Sequence, residues 1–167
     1  GEIAGAMCSF GSGNVTFSNV RNDANVRGVE EAGGLIGYCG GGTNLVFENC
    51  TNNGQIEMVY REDYSYYITL GGFVGTIFYV DGIKMSGCYN TGKIHANGTK
   101  NEDIDTFVGG IIGKSKVEQV LQMQDCHNKG EIGCHIAGLG SPCKCGGLVR
   151  YHEGSITIEQ STNHGNI

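Results

Sequence analysis

Gly33-Gly34-Leu35-Ile36-Gly37 returns as Gly71-Gly72-Phe73-Val74-Gly75, as Gly109-Gly110-Ile111-Ile112-Gly113 and, altered, as Gly146-Gly147-Leu148-Val149-Arg150. The leading glycines are 38, 38 and 37 residues apart. A second mark trails each copy: Asn52-Asn53-Gly54-Gln55-Ile56, Asn90-Thr91-Gly92-Lys93-Ile94, Asn128-Lys129-Gly130-Glu131-Ile132 and Asn163-His164-Gly165-Asn166-Ile167. A fixed period of this length signifies a solenoid, a propeller or a similar array, in which no unit buries its apolar face alone. A degenerate copy precedes the others, with Ala4-Gly5-Ala6-Met7 read as Gly-Gly-Leu-Ile and Asn22-Asp23-Ala24-Asn25-Val26 as its closing mark. The repeats cover about 4–26, 33–56, 71–94, 109–132 and 146–167 with linkers between them. They form one repeat domain, 1–167, expected to be a fragment of a longer array, since Gly1-Glu2-Ile3 matches the close of a repeat.

Between the two marks, Leu45 and Phe47 correspond to Ile83 and Met85, Leu121 and Met123, Ile156 and Ile158, and Val15 and Phe17. Polar residues fill most of the alternate positions, which is the period-two pattern of strands with one buried face. Residues that point inward are alike from copy to copy, as in Leu35, Phe73, Ile111 and Leu148, or Ile56, Ile94, Ile132 and Ile167. Like-on-like columns and an Asn52, Asn90, Asn128, Asn163 amide ladder predict an all-β parallel β-solenoid (β-helix) of about five coils of about 38 residues. The alternative is a β-propeller-like array. Asn is expected at a turn because it tolerates left-handed backbone, with Gly54, Gly92, Gly130 and Gly165 as the turn residues. Linkers of 14, 14 and 13 residues, at 57–70, 95–108 and 133–145, have room for another strand each.

The 167 residues include 30 glycines and one proline, with 39% apolar and 17% charged residues. No Gly-X-Y period exists, so collagen is excluded, and the apolar content suffices for a core. A net charge of −6 without a basic cluster argues against nucleic acid or an anionic membrane as partner. No apolar run is long enough for membrane insertion within this segment. Triplets at Asn14-Val15-Thr16, Asn49-Cys50-Thr51 and Asn97-Gly98-Thr99 fit the N-glycosylation pattern, which Asn-rich turns also create by chance.

The Gly-Gly-apolar-apolar-Gly unit with its trailing Asn-x-Gly-x-Ile resembles the GLUG repeat, found in tandem in secreted and cell-surface proteins, including non-catalytic regions of IgA-peptidase-type proteins. The resemblance covers about four-fifths of the chain. It implies an extracellular or cell-surface β-helical stalk or adhesive region. The peptidase activity of such proteins resides elsewhere, on a zinc His-Glu-x-x-His helix, whereas His152-Glu153-Gly154-Ser155-Ile156 has Ile at the second His position. Arg150 departs from the motif's final Gly, and the first copy departs at both the first and the closing Gly.

Cys50, Cys88 and Cys126 share a column with Val20 and Ser161, a pattern that asks for a small buried group and is met by free thiols. Cys134, His135, Cys143 and Cys145 are weak candidates for tetrahedral zinc. A disulfide from Cys134 to Cys143 or Cys145 is the favoured alternative, with free thiols also open. Cys8 and Cys39, in adjacent copies, are a further possible pair. Asn101-Glu102-Asp103-Ile104-Asp105 is dense in acids but lacks the spacing of a calcium loop. Tyr60, Arg61, Tyr64, Tyr66 and Tyr67, with Phe78 and Tyr79, form the best candidate binding surface, since rings give contact area at low entropic cost.

No column pairs carboxylates as a glycosidase requires. The expectation is therefore a non-enzymatic repeat module, an adhesin or stalk that needs no cofactor. It would present its linkers to a host or neighbouring-cell protein or glycan, beside flanking domains of the same longer chain. A carbohydrate-processing β-helix and a metal-stabilised structural domain are the alternatives.

Overall fold

The computed structural model describes residues 3–6, 8–11, 14–42, 44–58, 67–100, 105–138 and 143–167, with backbone alone at 8–11, 99–100 and 137–138. The described residues contain strands and turns but no helix. Successive copies add strands to four sheets in the same order. The first sheet takes Ile3–Gly5, Glu31–Gly33, Tyr67–Gly71, Asp105–Gly109 and Cys143–Gly146. The second begins with Cys8–Gly11, Ile36–Gly40 and Val74–Val80, and its other half holds Val15–Ser18, Asn44–Glu48 and Gly82–Ser86. Ile112–Gln124 runs through both halves and pairs with Val149–Glu159. The third sheet is built from Arg21–Asn22, Thr51–Asn52, Tyr89–Asn90, His127–Asn128 and Thr162–Asn163. The fourth holds Val26–Gly28, Ile56–Met58, Ile94–Lys100 and Ile132–Gly138.

Every pairing among the described residues is parallel and joins neighbouring copies, never two strands of one copy. The fold is thus all-β, parallel and of the β-helix-like class. A propeller blade is antiparallel within a copy, so the propeller alternative is corrected. Gly33 lies opposite Gly71, Gly71 opposite Gly109, and Gly109 opposite Gly146. At the start of the chain Gly5 lies opposite Gly33 and Ala4 opposite Ala32. The first copy therefore keeps the leading glycine, one position later than the motif alignment places it. The linkers hold strand at both ends, as their equal lengths imply: 57–70 contains the end of Ile56–Met58 and the start of Tyr67–Gly71.

Leu45 and Phe47, Ile83 and Met85, and Leu121 and Met123 are buried as their alternation predicts. They join Leu35, Phe73 and Ile111 in one core formed by the second sheet and the turns that flank it. A second core gathers Ile56, Ile68, Leu70, Ile94, Val108 and Ile132 from the first and fourth sheets. The two sequence columns thus belong to separate apolar lobes. In the copy that ends at Ile167, Ile156 and Ile158 are 41% and 44% exposed.

The amide ladder is present, buried from Asn22 to Asn128 and half-buried at Asn163. Asn22 Nδ2 donates to Asn52 Oδ1 at 2.8 Å, Asn52 to Asn90 at 2.8 Å, Asn90 to Asn128 at 2.7 Å, and Asn128 to Asn163 at 2.7 Å. Each amide also donates to the carbonyl two residues on, as Asn90 does to Gly92 at 3.0 Å. The reason for glycine nearby is not the one expected. Gly54, Gly92, Gly130 and Gly165 do not adopt positive φ; a Cβ at Gly92 would sit 2.0 Å from the Gly54 carbonyl oxygen. A Cβ at Gly72 would meet the Gly110 carbonyl at 2.2 Å and the Asn90 amide carbon at 2.7 Å. The Gly-Gly mark and the Asn mark are two sides of one contact, which is why they recur at fixed distance. The left-handed position is elsewhere, at the corner leaving the second sheet: Asn19, Asn49, Gly87, Asp125 and Gln160 have φ of 56°, 52°, 59°, 51° and 49°.

Candidate binding cleft

Strands of the first and second sheets are joined by the Gly-Gly-apolar-apolar-Gly turn, and the third glycine of that turn brings their outer faces together. A Cβ at Gly113 would lie 2.6 Å from Thr69 Cγ2, and one at Gly75 2.9 Å from the Ala32 carbonyl oxygen. Above this close floor the two faces diverge into a cleft. One wall carries the row Glu31, Thr69, Phe107 and Lys144 from in-register first-sheet strands. The other carries Tyr38, Thr76, Lys114 and Tyr151. Glu31, Tyr38, Tyr67, Thr76, Phe78 and Lys114 enclose a cavity of about 230 Å³.

Lys114 occupies the centre. Its Nζ is 5.6 Å from the ring centroid of Tyr67, 5.9 Å from Phe78, 5.4 Å from Phe107 and 5.9 Å from Tyr151. The negative ring faces hold the ammonium by cation–π attraction, worth about 0.5–1 kcal/mol where exposed and more where dry. Phe107 also has Lys144 Nζ at 5.4 Å and Arg150 Cζ at 5.8 Å. Lys144 is ion-paired with Asp105, and Lys116 with Glu153 at 2.9 Å. No described carboxylate lies within ion-pair distance of Lys114.

Glu31 is only 2% exposed. The Tyr67 hydroxyl donates to its Oε1 at 3.2 Å. Burial pushes the Glu31 carboxyl above the ordinary range, opposed by the neighbouring Thr76 and Tyr67 hydroxyls and by Lys114. Burial and the Glu31 charge raise Tyr67 to about 12, so it remains a hydrogen-bond donor. Thr69 and Thr76 are 0% and 3% exposed, and neither hydroxyl completes a hydrogen bond in the structure; Thr76 stands near Glu31 without bonding geometry. Buried hydroxyls are normally satisfied, so the Thr76 hydroxyl, which lines the cavity, marks a place where a polar group fits, whereas Thr69 lies beneath it and outside the cavity lining.

Of the seven surface candidates, Tyr67 and Phe78 line this cavity and Tyr79 adjoins it. Tyr79 is an extra residue in its strand, with φ 55° and a register shift between Phe78 and Val80. That bulge turns its ring outward, 4.4 Å from the Phe78 ring and 4.8 Å from Lys116 Nζ. Tyr60, Arg61, Tyr64 and Tyr66 lie outside the described residues, as do residues 101–104 of the acidic stretch. Sequence reasoning missed Glu31, Thr69, Phe107, Lys114 and Tyr151. The signal was there: two positions before and five after each leading glycine, an otherwise repeating frame varies in charge and ring content.

The four weak metal candidates do not converge. Cys134 is bonded to Cys143, His135 is exposed, and Cys145 packs against the second core, its thiol raised by burial. Among the described residues no three His, Cys, Asp or Glu side chains gather as a metal site. Cys50, Cys88 and Cys126 are buried, unbridged thiols. Cys50 and Cys88 donate to the carbonyls of Phe17 and Phe47 in the preceding copy. Cys8 lies opposite Ile36 and Cys39 opposite Gly11, so those two cysteines are three positions apart. The described residues include no helix long and apolar enough to cross a membrane. The chain matches no family model, no curated protein and no solved structure.

Proposed function

We propose that this chain is a non-catalytic binding module, an adhesin or stalk segment outside the cell or on its surface, and that its cleft engages a glycan on a host or neighbouring cell. The observation that carries this reading is the aromatic cage around Lys114, beside the buried Glu31 carboxyl and the Thr76 hydroxyl, which has no hydrogen-bond partner. Sugar rings present apolar faces to aromatic side chains and hydroxyls to such polar groups. The four sheets are read as the faces of one parallel β-solenoid of about five coils, roughly 24 Å along its axis at the usual strand spacing. The GLUG resemblance and the Cys134–Cys143 disulfide support an oxidising, extracellular setting.

The test is a glycan array run beside a turnover assay on the bound glycans. Tyr67→Ala and Phe78→Ala are expected to weaken binding roughly 5- to 30-fold, in proportion to lost ring contacts of about 1–2 kcal/mol each. Turnover of a bound glycan, or binding indifferent to both variants, would overturn the reading.

A further inference from the structure

Resting on the glycan-binding reading, we infer that the ligand is an acidic saccharide, with a carboxylate seated against Lys114 and ring hydroxyls satisfied by Thr76 and Glu31. The chain as a whole is negative, at −6. Its later cleft is not: Lys114, Lys116, Lys144 and Arg150 stand there against Asp105 and Glu153. Lys116 and Lys144 have their carboxylates. Lys114 is positioned by four ring faces, with no ion pair to a described carboxylate, and it lines the cavity. A partly buried ammonium on which no described carboxylate is seated within ion-pair distance can take an anionic ligand group. Arg150 adds a buried Nε with no hydrogen-bond partner on the Phe107 side. Glu31 lies across the cavity, and burial favours its neutral form, which limits its repulsion of an anion and gives it a proton to donate.

Both the cavity and its walls favour a saccharide over an acidic peptide. A volume of about 230 Å³ is below the roughly 300 Å³ at which drug-sized pockets begin, so it admits one ring-sized group. A peptide docks on sheets by pairing with an exposed strand edge. The strands that line the cavity, Glu31–Gly33, Ile36–Gly40, Tyr67–Gly71, Val74–Val80 and Ile112–Gln124, already pair on either side, so a peptide seated in it finds no backbone ladder to join.

Oligogalacturonate, hyaluronan oligosaccharide and sialyllactose would be titrated by calorimetry, each beside its carboxyl-reduced neutral counterpart, with polyglutamate as the peptide probe. At least one acidic saccharide is expected to bind, its reduced counterpart about tenfold more weakly or worse, and added salt to weaken the acidic form alone. Lys114→Gln should lose about tenfold, Lys114→Arg should retain most of the binding, and Lys129→Gln, on an exposed turn outside the cleft, should change nothing. Matching melting curves for the Lys114 variants would separate loss of binding from loss of fold. Equal binding of the neutral counterparts would overturn the acidic assignment while leaving the glycan reading intact. Polyglutamate binding in place of the saccharides would overturn the saccharide assignment, and silence from every saccharide would overturn both.

Discussion

Asn90 accepts a hydrogen bond from Asn52 and donates to Asn128 and to the Gly92 carbonyl, all in the dry interior. At a net 0.5–1.5 kcal/mol per bond, Asn90→Ala should cost about 3 kcal/mol of unfolding free energy. Asn163→Ala, at the last rung, loses its bonds to Asn128 and Gly165 and should cost about half as much. Chemical denaturation of the two variants checks this, and equal losses would show that the ladder is not acting as a chain of separate bonds. The corner column offers a test of opposite sign. Gln160 adopts φ 49° where another copy has Gly87. Left-handed backbone costs a side-chain-bearing residue about 1–2 kcal/mol, partly offset by the greater freedom of glycine in the unfolded chain. Gln160→Gly should therefore raise the unfolding free energy by about 0.5–1 kcal/mol, read as a higher denaturation midpoint. The ladder was legible in the sequence because every copy spells it. The corner was not, because Asn, Asn, Gly, Asp and Gln share only a tolerance for one backbone conformation, and nothing in their side-chain chemistry repeats.

At the scale of strands and turns, the disulfide joins Ile132–Gly138 of the fourth sheet to Cys143–Gly146 of the first. It closes a loop with a sequence separation of 9, for which loop-closure entropy gives about 2.5–3 kcal/mol. Replacing Cys134 and Cys143 together by Ser should lower stability by about that amount, and treating the wild-type protein with reductant should reproduce the effect. Cys50, Cys88 and Cys126 should be inert to a thiol reagent until denaturant is added. All three are 0% exposed, so the reagent cannot reach them while the fold is intact. Rapid labelling of these thiols in the native state would contradict their place in the core. The strands that bear these cysteines were readable from alternation, since Leu45 and Phe47 or Ile83 and Met85 declare their faces. The single long strand Ile112–Gln124 was less so. Its counterparts in the previous copy are broken by the Tyr79 bulge and the bend at Asp81, whereas Val117, Glu118 and Gln119 carry no break signal that marks one length over another.

Across the whole molecule, the titrating groups pull stability in two directions. Asp23, Asp125, Glu131 and Glu153 are each held below their ordinary range by hydrogen bonds from Asn53 and Arg21, His127, Lys93 and Lys116 respectively. Their contribution is present at neutral pH and is lost as acid protonates them. Glu31 acts in the opposite sense: its folded value lies above its ordinary 4.5, so ionisation as pH rises through that interval weakens the fold. Glu31→Gln should leave acid stability unchanged and gain on the wild type above that interval, with pH-dependent melting as the measure. The cleft itself was half legible. Tyr67, Phe78 and Tyr79 stood out as rings near charge, but Glu31 and Lys114 are far apart in sequence and meet only because two sheets lie face to face. The in-register stacking also has a mechanical consequence. The first and last copies lie at opposite ends of the stack, and each copy is held only by its neighbours, so tension applied between the two ends loads the copies in series. They should peel singly, each 38-residue copy releasing about 130 Å of extended chain, so that a stretched molecule yields in near-equal steps and does not give way at once.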